Sequence, residues 1–367
     1  MRWLFFALIV GHGLVHLMGF AKAFGFAELP QLTQPISRGM GVSWLMAGLA
    51  HLVAGALLIG APRIWWAVGL GAVLLSQLVI MSAWDDAKFG TLVNLMILAA
   101  VVYGFASQGP LSLRAEYERD VGQRSADRVT PGLVGEADLA PLPESVRRYL
   151  RVVGVVGQPK ILKVRARWEG RIRSGPDAPW MPFTAEQHNF LGEPSRFFLM
   201  HARRSGLPVD VYHAFRDGSA SMRVRLLSML PVARASGPEF TQAETVTLFN
   251  DLVLLAPAGV VDADIRWEPL GDGEVRGHYS AGARRVSAVL SFNEAGELVN
   301  FVSEDRLAAS PDGAELTRQQ WSTPVGEYRA FGSRRAPTRG EGKWHPAVGD
   351  FAYIELELVE LEFNGGP

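Results

Sequence analysis

Residues 162–172 read LKVRARWEGRI, and this stretch decides the fold of the larger part of the chain. Apolar residues such as Val164 alternate there with charged residues such as Lys163. A period of two over this length predicts a long β-strand with one buried face, which places Lys163 on the exposed face. The same alternation recurs within residues 222–226 and 286–292, so the sequence predicts several strands of this kind.

Short turns separate the predicted strands. Asp217-Gly218 and the segment NEAG at residues 293–296 carry the residue types that close hairpins. Such connections predict antiparallel meanders. Near the C-terminus, the alternation of residues 354–358 changes phase before residues 359–363, which indicates a β-bulge.

Two helices are predicted within this β-rich region. Residues 143–153 form a short amphipathic pattern, and residues 239–255 carry apolar side chains near helical spacing. A helix that lies in a curved sheet can bury most of its surface. The predicted soluble domain is therefore α+β, with a curved antiparallel β-sheet packed around a helix.

The N-terminal part of the chain has a different character, because it contains four apolar stretches separated by short polar or proline-containing breaks. They cover residues 3–20, 39–60, 64–84 and 91–106. A helix needs about 20 apolar residues to cross a bilayer, with roughly 17 as the short limit. The stretches predict a membrane α-helical bundle of four transmembrane helices.

The chain is thus expected to divide into a four-helix transmembrane domain at residues 1–106, a juxtamembrane linker at 107–140 and a β-rich soluble domain at 141–367. The lipid bilayer is one predicted partner. Formal net charge is −1, so no overall field attracts nucleic acid, and no nucleic-acid partner is predicted. The chain has no cysteine, which excludes disulfides and thiol chemistry.

Basic residues near the ends of the apolar stretches predict the orientation in the membrane. One side carries Arg2, Arg63, Arg114, Arg119 and Arg124, and the other carries Lys22, Arg38 and Lys88. Because cytoplasmic loops hold an excess of basic residues, both termini and the soluble domain are predicted to be cytoplasmic. The protein is expected to be a multi-pass protein of the inner membrane.

Each apolar stretch contains at least one polar side chain, which is expensive inside a bilayer and needs a partner or a purpose. These candidate ligand-binding residues are His12, His16, His51, Gln77 and Asn94. They could bind a quinone head group, a haem or a metal, or they could form hydrogen bonds between helices. Glycines recur every seven residues beside His51, which favours packing, so no cofactor is predicted and haem or quinone remains the alternative.

Several blocks of the soluble part resemble a known family. They are LPESVRRYL at residues 142–150, WMPFTAEQ at 180–187, WSTP at 321–324, PTRGE at 337–341 with the following Trp344, and FAY at 351–353. In this order they resemble an uncharacterised bacterial family, the domain of unknown function 6544, over residues 141–364. The resemblance implies no assigned activity or catalytic residues. The four-helix part loosely resembles small membrane proteins of the DoxX type.

The sequence shows no Gly-rich phosphate loop, nucleophile elbow, zinc-protease motif or calcium loop in its required context. Two local pairs remain as candidates. Glu186 and His188 would share one face of a strand, and Glu341 lies near Trp344 and His345. A carboxylate that orients an imidazole can make a general base, but exposed polar pairs are the favoured interpretation. No metal site is predicted.

These observations favour a membrane-tethered binding module for a lipid or another lipophilic small molecule over an enzyme. The basis is a long amphipathic sheet without a catalytic signature, in a layout similar to that of carrier domains of the lipoprotein-localisation type. The first alternative is a membrane oxidoreductase or quinone-interacting subunit that uses the bundle histidines. The second is a structural partner in an envelope complex.

The orientation can be tested with single cysteines, since the natural chain has none. We expect cysteines placed at Ser107 and Ser219 to react with a membrane-impermeant maleimide only after the cells are opened. Equal labelling in intact spheroplasts would instead place the soluble domain outside the inner membrane.

Overall fold

The structure is a computed structural model that describes residues 2–125, 131–271, 273–309 and 316–365. The chain forms two compact units, Met1–Glu116 and Tyr117–Pro367. Residues 126–130 of the predicted linker lie outside the described residues. The domain boundaries given above stay a prediction.

The first unit consists of apolar helices. They are α1 (Arg2–Ala23), α2 (Arg38–Gly60), α3 (Trp65–Ser82), the short α4 (Trp84–Ala87) and α5 (Gly90–Gln108). Four of them are long and apolar enough to cross a membrane. Large apolar side chains, including Leu14, Val53, Leu78 and Leu92, point outward from the unit.

Small residues allow α1 and α2 to approach closely. A β-carbon built on Gly13 would lie 2.8 Å from the Cβ of His51, and one on Gly48 would lie 2.9 Å from the carbonyl oxygen of Gly13. Larger side chains at these positions would therefore separate the helices. The glycines beside His51 serve helix packing, as their spacing indicates.

The remaining helices are α6 (Leu113–Arg124), α7 (Glu136–Leu139), α8 (Glu144–Val152) and α9 (Pro238–Leu255), and a 3-10 turn follows at Pro257–Val261. The strands are β1 (Lys163–Ile172), β2 (Met181–Phe190), β3 (Ser195–Arg204), β4 (Leu207–Arg216), β5 (Ser219–Leu226), β6 (Leu230–Ser236), β7 (Ile265–Gly271), β8 (Glu274–Ala281), β9 (Arg284–Phe292), β10 (Leu298–Ser303), β11 (Leu307–Ala309), β12 (Leu316–Arg318), β13 (Trp321–Ser322), β14 (Val325–Phe331), β15 (Arg334–Trp344) and β16 (Phe351–Phe363).

Within the described residues, fourteen strands form one antiparallel sheet. The order is β6-β5-β4-β3-β2-β1-β16-β15-β13-β10-β9-β8-β7, and β14 pairs with β15. The stretch LKVRARWEGRI supplies β1, which lies in the middle of the sheet and pairs with β2 and with the C-terminal β16. The predicted meanders are confirmed, and so is the bulge, because Val359 is the extra residue between Leu358 and Glu360.

The sheet curves around α9. In the strand order, β5 and β9 are nine strands apart, which would be about 43 Å in a flat sheet. Helix α9 has 18 residues and is therefore about 27 Å long, yet it packs against both strands. Only a curved sheet satisfies both facts, and the predicted helix in a curved sheet is confirmed.

Helix α9 is buried on all sides, as expected for a helix enclosed by a sheet. Phe249 is fully buried at its centre and stacks on Tyr279, with ring centroids 5.2 Å apart. The ring of Phe301 meets the ring of Phe249 edge-on, with centroids 5.3 Å apart. These aromatic contacts fix the helix against the β8 to β10 part of the sheet.

The outer face of the sheet is less exposed than the alternation predicts. Lys163 is buried rather than exposed, with its Nζ 3.1 Å from the hydroxyl of Ser125 and 5.7 Å from the ring centroid of Phe190. Burial lowers the pKa of Lys163. Ser125 follows directly after α6, so the region interpreted as linker covers this part of the sheet.

Candidate functional site

A cavity of about 280 Å³ lies between α9 and the concave face of the sheet. Its walls are mainly apolar. They include Trp168 and Ile172 of β1, Phe198 and Met200 of β3, Met222 of β5, Leu254 and Leu255 of α9, and Tyr353, Ile354 and Leu356 of β16. The alternating strands place these side chains on one face, which is why residues far apart in sequence line one space.

One side of the cavity carries buried charges. Arg196 of β3 donates from Nε to the carboxylate of Asp251 on α9, at 2.7 Å. The same carboxylate accepts hydrogen bonds from the side-chain amides of Gln187, at 2.6 Å, and Asn189, at 3.1 Å. Three donors to one carboxylate tie α9 to β2 and β3.

A second carboxylate, Glu244, lies about two helical turns before Asp251 on α9 and is also buried. Its oxygens lie 3.5 Å from Arg306 Nη2, 3.6 Å from Arg196 Nη1 and 3.7 Å from His213 Nδ1. Burial alone would raise the pKa of Glu244, but the three basic groups outweigh it and lower the pKa to about 2. Glu244 is therefore ionised at neutral pH.

Besides His213 Nδ1, which lies 3.7 Å from Glu244, three polar atoms of the residues that line the cavity have no hydrogen-bond partner among the described residues. They are Oδ1 of Asn250, Nε1 of Trp321 and Oγ1 of Thr323. The three residues are 6%, 4% and 6% exposed. A buried donor or acceptor without a partner costs about 1–3 kcal/mol, so these atoms mark where the lining is polar but unsatisfied.

The structure brings together the polar residues predicted in the helical bundle. Asn94 Oδ1 accepts hydrogen bonds from His12 Nε2 and from Ser76 Oγ, both at 3.0 Å. His16 Nε2 lies 2.8 Å from Ser76 Oγ, and Asn94 Nδ2 donates to Gln77 Oε1 at 3.1 Å. Ser76 joins the group without having been predicted, because serine is common in membrane helices and gave no signal.

His51 completes the same cluster from α2. Its Nδ1 donates to the carbonyl oxygen of Ala47 at 2.8 Å, and its ring centroid lies 5.1 Å from that of His12. The hydrogen bonds of the cluster connect α1, α3 and α5. Among the described residues, no group of three or more His, Cys, Asp or Glu side chains is arranged to hold a metal ion.

The two predicted carboxylate–histidine pairs have other partners. Nδ1 of His188 lies 2.7 Å from the hydroxyl of Tyr117 on α6. Burial, with Lys163 and Arg165 nearby, lowers the pKa of His188 to about 3. His188 is thus buried and engaged with Tyr117 rather than exposed on a polar strand face, and the general-base role considered for Glu186 and His188 stays an alternative.

Glu341 and His345 are also separately engaged. Glu341 lies 2.9 Å from Lys343 Nζ, while His345 contacts Ser322 Oγ through Nε2 at 2.7 Å and Asp350 through Nδ1 at 2.9 Å. The order Ser–His–Asp is that of a hydrolase triad. Ser322, however, is only 2% exposed and alternates with Trp321 and Thr323, which face the cavity, so its hydroxyl points away from it.

A serine so deeply buried is not accessible to a substrate. We therefore interpret the Ser322–His345–Asp350 contacts as structural, because they hold the loop between β15 and β16 against β13. Trp344, the remaining predicted residue, lies beside this loop. Its ring centroid is 5.9 Å from that of Tyr353 and 5.9 Å from the guanidinium carbon of Arg306. Trp344 therefore packs near two residues that line the cavity, Tyr353 and Arg306, but does not line it itself.

The model of the Family of unknown function (DUF6544) matches residues 132–356, which is more than half of the chain. The chain belongs to this family. The match confirms the resemblance of the blocks between residues 142 and 353. The likeness of the helical unit to DoxX-type proteins stays a prediction.

Three solved structures are similar to the chain. A putative outer membrane lipoprotein-sorting protein domain from Vibrio parahaemolyticus has 11% identity and a TM-score of 0.36, over 56% of this chain and 86% of its own. A DUF1329 family protein from Desulfovibrio piger has 12% identity and a TM-score of 0.39, and the match covers 64% of this chain and 95% of that protein. A LolA superfamily protein from Nitrosomonas europaea has 12% identity and a TM-score of 0.36, and the match covers 60% of this chain and 94% of that protein.

No curated protein has a significant match to the sequence. Because the structural similarities are remote, the case for a function rests on the cavity itself.

A double-mutant cycle tests the charged side of the cavity. Asp251→Leu leaves Arg196 buried without its closest partner, so we expect it to lower the free energy of unfolding by about 3–5 kcal/mol. Arg196→Met in the same chain should recover at least about 2 kcal/mol of that loss. Chemical denaturation of the full-length protein in detergent measures both values.

The matched control is the exposed pair of Arg167 and Glu360, whose charged atoms are 2.8 Å apart. The same cycle there should give a coupling below about 1 kcal/mol. Equal coupling energies at the two pairs would show that the cavity charges contribute no more than a surface ion pair.

Proposed function

We propose that the second unit binds a lipid or another lipophilic small molecule in the cavity between α9 and the sheet, and that the helical unit tethers it to a membrane. The observation that carries the proposal is the cavity itself. Its walls consist mainly of aromatic, methionine and aliphatic side chains, and the polar residues of its lining include the ion-paired Arg196, Glu244 and Asp251.

The size of the cavity supports a single small ligand. Ligand pockets commonly measure roughly 300–1,000 Å³, and the value of about 280 Å³ lies just below this range. A molecule with one hydrocarbon chain, or one chain of a larger lipid, suits this volume. Met200 and Met222 contribute flexible walls that can adapt to chains of different shape.

A membrane tether is consistent with the first unit. Its four long helices have the length and hydropathy of membrane spans, and their outward faces carry large apolar side chains. Tethering would keep the binding domain beside a bilayer that contains lipophilic molecules. From the distribution of basic residues, we propose an inner-membrane location with the second unit in the cytoplasm.

We assign the histidine cluster of the bundle to helix packing rather than to a cofactor. The Nε2 atoms of His12 and His16 both lie within hydrogen-bond distance of Ser76, and the bonds cross between helices. A network of this kind holds helices together where no hydrophobic force can. The alternative is a haem or quinone site in the bundle, and it would belong to an oxidoreductase function.

The proposal predicts a bound small molecule in the full-length protein purified from its membrane. Native mass spectrometry should show an added mass near one ligand per chain, and solvent extraction should release an amphiphile. Met222→Trp places a bulky side chain into the cavity, so we expect it to remove most of the added mass.

Met229→Trp is the matched control, since Met229 is 39% exposed and does not line the cavity. It should retain the ligand at the natural level. If the natural protein carries no added mass, or if Met222→Trp retains as much as Met229→Trp, the cavity is not the binding site.

A further inference from the structure

The unsatisfied polar atoms of the cavity describe the ligand that would fit it. Trp321 Nε1 can only donate a hydrogen bond, Asn250 Oδ1 can only accept one, and Thr323 Oγ1 can do either. All three atoms are buried without a partner among the described residues. An occupant that satisfies them therefore needs both a donor and an acceptor.

These atoms belong to one wall region. Trp321 and Thr323 are two residues apart on an extended segment, so their side chains project to the same face of the sheet. Asn250 belongs to α9, which packs over this face. The ring of Trp321 is held in place by Arg306, whose guanidinium carbon lies 4.5 Å from the ring centroid.

The charges of the region argue against an ionic ligand head. Arg196 is paired with Asp251 and Glu244, and Arg306 is paired with Glu244. These two guanidinium groups and two carboxylates sum to zero, and Arg339, which also lines the cavity, is paired with Glu327 at 3.2 Å. A further ion brought into this buried region would have no counter-ion, and burying an unpaired charge is strongly unfavourable.

We infer that the ligand is a single-chain amphiphile whose neutral head group, bearing a hydroxyl or a primary or secondary amide, enters the cavity and hydrogen bonds to Trp321, Thr323 and Asn250. Its hydrocarbon chain lies along Phe198, Met200 and Ile354. This inference rests on the proposed function and narrows it, because it excludes free fatty acids, alkylamines and pure hydrocarbons as preferred ligands.

The test uses the full-length protein in nanodiscs and photoreactive probes that share a dodecyl chain with a diazirine. The probes end in a hydroxyl, a methyl, a carboxylate or an ammonium group, and a fifth carries a monoacylglycerol head. Cross-linking to the cavity peptides is measured by mass spectrometry over a range of probe concentrations. The hydroxyl and monoacylglycerol probes distinguish a free alcohol from a lipid head group.

We expect half-maximal cross-linking of a hydroxyl-bearing probe at about tenfold lower concentration than the methyl probe, as one to two net hydrogen bonds would give. The carboxylate and ammonium probes should be weaker than the methyl probe. Thr323→Val keeps the shape but removes the hydroxyl, and Trp321→Phe removes the indole N–H together with part of the ring. We therefore expect both variants to reduce the ratio of hydroxyl-probe to methyl-probe labelling.

Trp180→Phe is the control for the tryptophan substitution, because Trp180 packs on Arg171 and Arg173 and does not line the cavity. It should keep the full preference. If no probe labels the cavity, the proposed function itself fails. If all probes label it equally, if a charged probe labels it best, or if the two variants keep the hydroxyl preference, the binding function stands and the inference about the head group is overturned.

Discussion

The burial of α9 is the constraint on which the second unit depends. A helix enclosed on all sides must present either apolar side chains or neutralised charges, and α9 carries Glu244 and Asp251. Arg196 from the sheet and Arg306 from the segment after β10 supply the opposite charges. The sheet must curve far enough to bring both arginines to the helix, and the cavity is enclosed by the same curvature.

The sequence predicts the local features of this arrangement well. Alternation identifies β1, turn residues identify the hairpins, the phase change identifies the bulge at Val359, and helical spacing identifies α9. Each of these signals lies within about twenty residues. The pairing of β1 with β16 is beyond such reasoning, because it joins residues about 200 positions apart through backbone hydrogen bonds that any sequence can make.

In the candidate sites, too, the sequence predicts local features but not contacts between residues far apart in the chain. The cost of polar groups in a bilayer draws attention to His12, His16, His51 and Asn94, and the structure places these side chains close together. Local spacing suggests partners for His188 and His345, but their contacts come from Tyr117, Ser322 and Asp350. The cavity residues come from β1, β3, β5, α9, β16 and the β13 segment and share no motif, so only the folded sheet brings them together.

A neutral set of buried charges beside an apolar space gives the cavity a defined chemistry. The ion pairs need no ligand, since each carboxylate already faces a guanidinium group. The uncharged polar atoms of Asn250, Trp321 and Thr323 have no hydrogen-bond partner among the described residues, and these residues line a mainly apolar cavity. A neutral amphiphile, as proposed above, would suit both the polar atoms and the apolar cavity.

The most direct test of this account is a crystal structure of the full-length protein grown with a dodecanol that carries bromine at the end of its chain. Anomalous scattering locates bromine independently of the rest of the map. The account predicts one strong bromine peak in the cavity, close to the apolar side chains of Ile354 and Leu255. Bromine found only on the outer surface of the helical unit, with the cavity unchanged, would contradict it.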